Sequence, residues 1–221
     1  MRKIVLDTET TGLDPFSGDK LIEIGAVELD SNHQIASRYH TYINPMYQVS
    51  PGAYKVHGIS NDMLKNKPLF AEIAQDFLEY IQGAKLIIHN AQFDLKFINY
   101  ELSLVNLPSL DQANVIDTLA IARSMFPGAK VNLDALCKRF KIDISSRNLH
   151  SASLDAELLA YVYVELTGGK QISFTFNNTQ SSSFTQNYAE EQKKYTNDKI
   201  ILPSEHELIA HDKFMQTIIN K

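Results

Sequence analysis

Three short apolar runs in this chain each end directly on a polar or acidic cluster. Ile4-Val5-Leu6 meets Asp7, Leu86-Ile87-Ile88 meets His89-Asn90, and Val115-Ile116 meets Asp117. Runs this short, rich in β-branched residues and without polar alternation, read as buried strands, which need helices to cover them. The stretches between supply the helices. Phe70, Ile73, Phe77 and Ile81 recur at spacings of three and four after Pro68, and Gly83 closes the pattern. Phe93, Phe97 and Tyr100 line one face of a second helix over 93–104. Further helical patterns cover 118–125, 132–140 and 153–166, the last closed by Gly168-Gly169. Two longer strands, 20–29 and 35–43, flank the turn Asp30-Ser31-Asn32-His33. Strands first, then strands interleaved with helices, predict an α/β fold: a mixed sheet flanked by helices. Acidic and polar residues at strand ends mark the place where such sheets hold ligands.

Composition narrows the function. At 221 residues the chain can bury one core and carry an appendage. The net charge of −5 excludes a protein that grips duplex nucleic acid unaided on a basic face, because phosphate neutralisation supplies most of that affinity. The single cysteine, Cys137, excludes a disulfide framework and reads as small core filler. No run approaches 18 apolar residues, and the N-terminus lacks the charged-then-apolar shape of a signal peptide. A cytoplasmic protein with no membrane partner is expected.

The chemistry-bearing residues come in four pieces. The first is Asp7-Thr8-Glu9-Thr10-Thr11-Gly12, in which Asp7 and Glu9 share one side of a strand end because strand side chains alternate. Two carboxylates held side by side repel unless a cation sits between them, and hard oxygen ligands select Mg²⁺ or Mn²⁺. Val56-His57-Gly58-Ile59 is the second piece and His89-Asn90-Ala91-Gln92-Phe93-Asp94 the third. The last is His150, followed five residues later by Asp155. Taken singly, Asp94 and Asp155 each suit the first turn of a helix, where the dipole favours a carboxylate without any metal.

In this order the four pieces resemble the DEDDh family of 3′→5′ exonucleases, and most closely its replicative proofreading branch. The branch that uses Tyr in place of His would need Tyr near position 151, where Ser stands. The resemblance implies the ribonuclease H-like version of the mixed sheet. It also implies two divalent cations, Mg²⁺ or Mn²⁺, about 3.5–4 Å apart on the scissile phosphate. Asp7 would bridge both, Glu9 and Asp155 would complete the site of the attacking water, and Asp94 would support the second. His150 would be the general base. For the terminal nucleotide the resemblance points to Asp7, Glu9 and Asp155 together with Thr10, Thr11, Leu13, His57 and Phe93. One departure stands out: relatives often carry Glu five residues before the His57 position, and this chain has Gly52.

Beyond Gly169 the composition turns to Asn, Gln, Ser, Thr, Lys and Glu, too little apolar surface to offset ordering entropy. The expected organisation is an exonuclease domain over 1–169, a sliding-clamp-binding peptide over 170–176, a flexible linker over 177–198 and a polymerase-docking segment over 199–221. Gln171, Phe174 and Phe176 have the spacing of a clamp peptide, a Gln followed by two apolar anchors. A linker of this length spans about 25 Å root-mean-square. Ser204 and Glu207 form a capping box before the apolar stripe Leu208, Met215, Ile218 and Ile219. The expected partners are a single-stranded 3′ end of DNA, the polymerase catalytic subunit and the clamp. Three other readings stay open on the residues: a stand-alone DEDDh nuclease acting on RNA or DNA ends, a non-catalytic clamp and polymerase adaptor, and an internally cutting ribonuclease H-like hydrolase.

Overall fold

The computed structural model describes residues 1–145 and 149–168, together with 204, 206, 215 and 216. Five strands form one mixed sheet: β1 (Arg2–Thr10), β2 (Leu21–Leu29), β3 (Ile35–Tyr42), β4 (Ala84–Ile88) and β5 (Val115–Asp117). Their spatial order is β3-β2-β1-β4-β5, antiparallel through β3, β2 and β1 and parallel from β1 to β4 and β5. The helices among the described residues are α1 (Pro51–His57), α2 (Asn61–Leu64), α3 (Phe70–Ile81), α4 (Ala91–Leu104), α5 (Thr118–Met125), α6 (Leu133–Phe140) and α7 (Ala152–Leu166).

Strand alternation sorts the core into two layers. Ile4, Leu6, Ile24 and Ile88 face α3 and α4, packing with Phe77, Phe97, Ile98 and Leu102. Val5, Val27, Leu29 and Ile87 face the other way, onto Ala122 of α5, Leu136 and Cys137 of α6, and Leu159 and Val162 of α7. Cys137 is fully buried there, as a filler should be. The expected sheet flanked by helices is what forms.

The elements differ from expectation in three informative places. β1 runs through Thr10 rather than ending at Leu6, because its pairing with β2 continues through Glu9 opposite Glu23 and Thr10 opposite Leu21, with an irregularity between Glu9 and Thr10. Asp7 and Glu9 therefore lie inside the strand. α4 begins at Ala91, two residues early, with Asn90 in left-handed backbone (φ 67°) as its cap. α1 and α2 carry no apolar stripe and escaped the periodicity; the signals were Ser50-Pro51 at a helix start and left-handed Gly58 (φ 70°) at its stop.

The expected clamp peptide with Gln171, Phe174 and Phe176, and the linker over 177–198, lie outside the described residues. Of the 199–221 segment, Ser204, His206, Met215 and Gln216 are described, and the last three have helical backbone. No helix among the described residues is long and apolar enough to cross a membrane.

Candidate active site

Asp7 and Glu9 follow Val5 on the α7 side of β1, as strand alternation requires. Asp155 meets them from the first turn of α7, only 2% exposed, and Asp94 stands in the first turn of α4 at 3%. Thr8 points to the opposite side of β1, and its Oγ1 donates to Asp94 Oδ1 at 2.7 Å. His150 lies just before α7, with Nδ1 3.2 Å from Asp155 Oδ2. Its backbone N–H donates to the Val56 carbonyl at 3.1 Å, which ties this segment to α1. Glu9, His150 and Asp155 each offer a ligand atom, all within 4.8 Å of one another. The five residues singled out from the sequence thus come from β1, α4, α7 and the segment leading into α7 to one end of β1.

So many carboxylates in one place disturb their own ionisation. Burial, then the charges of Asp94, Glu9, Asp155 and Glu23, holds the Asp7 carboxyl well above the ordinary range. Burial pushes Asp94 up to about 7 against the pull of its Thr8 hydrogen bond. That stress is the test of whether a cation belongs here. Hard carboxylate oxygens from three elements, crowded enough to resist losing their protons, are the donor set that Mg²⁺ or Mn²⁺ relieves.

Beside the carboxylates lies a cavity of about 480 Å³ lined by Glu9, Thr10, Gly12, Leu13, Ser50, Gly52, Ala53, Val56, His57 and Phe93. It collects five residues expected at the terminal nucleotide: Glu9, Thr10, Leu13, His57 and Phe93. Leu13 is 80% exposed at the rim. Phe93 backs onto Phe97 with ring centroids 5.1 Å apart, so it both packs the core and walls the cavity. His57 is buried; its Nδ1 accepts from the Ile59 N–H at 3.0 Å, which leaves the hydrogen on Nε2, and that atom is buried without a protein partner. Burial lowers the His57 pKa, so the neutral ring is favoured. At Gly52, a Cβ would meet nothing nearer than Ser50 Oγ at 3.9 Å. The space that a larger residue would take is open.

One expectation is corrected. Thr11 does not line the cavity: it is fully buried, its Oγ1 accepts from the Lys20 N–H at 2.9 Å, and its backbone pairs with Lys20 and Ser50. The irregularity after Glu9 turns its side chain into the loop it braces.

Sequence reading also missed three polar residues. Thr8 was passed over inside the acidic motif. Asp117 was seen only as a strand end, yet its Oδ1 accepts from the N–H of Asn90 at 3.1 Å and of Leu119 at 2.8 Å, bracing the turn into α4. Glu23 is a fully buried carboxylate directly across from Glu9. A lone acid within Leu21-Ile22-Glu23-Ile24 was the available signal, since charged residues are almost never buried unless paired.

The chain is similar to known proteins over most of its length. A family profile described as "Exonuclease" matches residues 4–163. DNA polymerase III subunit epsilon of Rickettsia felis is 51% identical over 225 residues, covering 99% of this chain and 97% of the relative. The Escherichia coli protein of the same name is 42% identical over 230 residues, covering 100% and 94%. Among solved structures, Exonuclease X in complex with 5′ overhanging duplex DNA superposes with a TM-score of 0.59 at 26% identity, covering 75% of this chain and 91% of that one. The nuclease domain of 3′hExo, a DEDDh family member bound to rAMP, shares the fold at a TM-score of 0.63 and 18% identity, over 76% and 92%. With the family profile spanning most of the chain and relatives this similar over their full length, the chain belongs to the exonuclease family, among the DNA polymerase III epsilon subunits.

Proposed function

We propose that this protein is the proofreading 3′→5′ exonuclease of DNA polymerase III, removing mispaired 3′-terminal nucleotides by water attack on the last phosphodiester bond. The observation that carries this reading is the meeting of Asp7, Glu9, Asp94, Asp155 and His150 beside the cavity walled by Leu13, His57 and Phe93.

In this mechanism the cavity holds the terminal nucleotide, and Leu13 and Phe93 press apolar faces on its base, a contact indifferent to sequence. Asp7, Glu9, Asp94 and Asp155 would hold the cations. Two bound Mg²⁺ or Mn²⁺ ions supply charge neutralisation at the phosphate, a more acidic attacking water and stabilisation of the departing 3′ oxygen. His150 removes the proton from that water. With the Nδ1 side of its ring on Asp155, the basic lone pair falls on Nε2, the atom that takes the proton. The products are a nucleoside 5′-monophosphate and a strand with a new 3′-hydroxyl. The tail supports the same reading: residues 171–176 would engage a sliding clamp and 199–221 the polymerase subunit. Tethering raises local concentration to the millimolar range, which suits a chain with a net charge of −5.

The test is digestion of an end-labelled single-stranded DNA with Mg²⁺ or Mn²⁺, run beside Asp7→Ala and a matched RNA strand. Stepwise release of mononucleotides from the DNA 3′ end, abolished in Asp7→Ala, is expected. Preferential consumption of RNA would overturn the proofreading assignment, and no hydrolysis of either strand by folded protein would overturn the enzyme.

A further inference from the structure

Among the described residues, Glu23 is the one fully buried carboxylate near the site that the mechanism above does not use. It sits on β2 opposite Glu9, on the α7 side of the sheet. A fourth acid beside Asp7, Glu9 and Asp155 adds repulsion, so its presence calls for a compensating role. Its hydrogen bonds supply one. Glu23 Oε1 accepts from Ser151 Oγ at 3.1 Å and lies 2.8 Å from His40 Nε2, while Oε2 accepts from the Ala152 backbone N–H at 3.1 Å.

Ser151 is the N-cap of α7, yet its hydroxyl makes no cap bond within its own helix; it donates outward to Glu23. Ala152 N–H is one of the orphan donors at that helix end. A carboxylate at a helix N-terminus also complements the dipole. The first turn of α7 is therefore capped by a side chain of the neighbouring strand. The fit leaves little slack. A Cβ at Gly25, two residues along β2 and opposite Asp7, would come within 2.2 Å of the Ala152 backbone.

We infer that Glu23 is a positioning residue for the exonuclease reaction: it holds the start of α7, and with it His150 and Asp155, in register with Asp7 and Glu9 on β1. The inference rests on the exonuclease reading. His150 stands one residue before the capped Ser151, and Asp155 lies one turn beyond it, where its N–H donates to the Ser151 carbonyl at 2.8 Å. Glu23 does not line the terminal-nucleotide cavity, and its two oxygens are engaged by Ser151, Ala152 and His40; it acts through α7. A Gln at 23 keeps the shape but not the charge. Its one oxygen can accept from the Ala152 N–H only if its NH₂ turns to Ser151 Oγ and His40 Nε2, which must then accept. The helix end also loses the carboxylate that complements its dipole.

The experiment measures kcat, KM for a short single-stranded DNA, and the half-saturating Mn²⁺ concentration for Glu23→Gln and Ser151→Ala. Val162→Ala, which opens a cavity on the core side of α7, is the control for plain destabilisation. The expected result for Glu23→Gln is a kcat lowered about ten- to a hundredfold, since misplacement of about 1 Å costs about that much. KM should stay within about threefold, because the terminal-nucleotide cavity does not include Glu23. Half-saturating Mn²⁺ should rise several-fold. Ser151→Ala should lower kcat less, and the double variant should be no worse than Glu23→Gln, because both act through one contact. A kcat within twofold of wild type in folded Glu23→Gln would overturn the inference. So would a loss matched by Val162→Ala at equal thermal midpoint. Should Glu23→Gln not fold, Ser151→Ala decides: unchanged kcat overturns, a drop at constant KM supports. Wild-type protein without exonuclease activity would instead sink the underlying reading.

Discussion

Thr8 Oγ1 donates to Asp94 Oδ1 across 2.7 Å, joining the strand that carries Asp7 and Glu9 to the helix that carries the fourth acid. Asp94 is 3% exposed, and this hydroxyl, together with backbone hydrogen bonds at Asp94 and Thr8, favours its charged form in a buried place. Thr8→Val keeps the shape and removes the donor. A buried acceptor left unsatisfied costs about 1–3 kcal/mol. The cost should be greatest where Asp94 is ionised, because the lost bond favours the charged form. The thermal midpoint of metal-free Thr8→Val should therefore fall further below wild type at pH 8 than at pH 5.5. An equal drop at both would show that the bond does not act on the charge.

The acid cluster also makes the metal-free protein sensitive to pH. Asp94 titrates near 7 in the folded protein, against about 3.8 when unfolded, and Asp7 is raised as well. Between those values the folded state holds protons that the unfolded state has released, so stability falls as pH rises through the window. At about 1.4 kcal/mol per pKa unit the penalty reaches a few kcal/mol. In EDTA the thermal midpoint should decline from pH 5 toward pH 8. Added Mg²⁺ or Mn²⁺ should restore it, more at pH 8 than at pH 5.5. A flat profile in EDTA that Asp7→Asn/Asp94→Asn leaves unaltered would contradict this account.

His150 lies close enough to Glu9 and Asp155 to serve as a ligand as well as a base, and His150→Ala separates the two roles. As a base it contributes roughly 10²–10⁴ in rate. Turnover should drop at least about a hundredfold while the Mn²⁺-induced rise in thermal midpoint survives on the carboxylates. Loss of that rise along with turnover would make His150 a ligand, and near-wild-type turnover would remove it from both roles.

The tail prediction concerns assembly. The exonuclease profile ends at residue 163, and the described catalytic fold closes with α7 at Leu166. A chain ending at Gly169 should keep hydrolysis of short single strands and should no longer copurify with the polymerase subunit. Undiminished copurification would show that residues 199–221 are not the docking element.

Much of this architecture was legible in the linear chain, and for a definite reason. Burial of a helix or strand face writes a period into the sequence, so Phe70, Ile73, Phe77 and Ile81 announce α3, and Ile4-Val5-Leu6 announces β1. The acids and His150 were legible because their spacing repeats a pattern shared by a family, not because spacing alone places them in one site. α1 went unseen because it buries only His57 and has no apolar period to show.

The sequence by itself determined the periodic strands and helices, the sheet flanked by helices and the candidate acidic set. Tertiary structure alone decided the environment of each polar side chain. Glu23 faces Glu9 and the end of α7 because of the β1–β2 register. Thr8 reaches Asp94 because α4 covers the other side of β1. Thr11 turns inward where the β1–β2 register shifts after Glu9. An apolar residue needs only to be buried, which a local period records; a polar one needs a particular partner, and register and packing bring that partner from 86 residues away for Thr8 and 129 for Glu23.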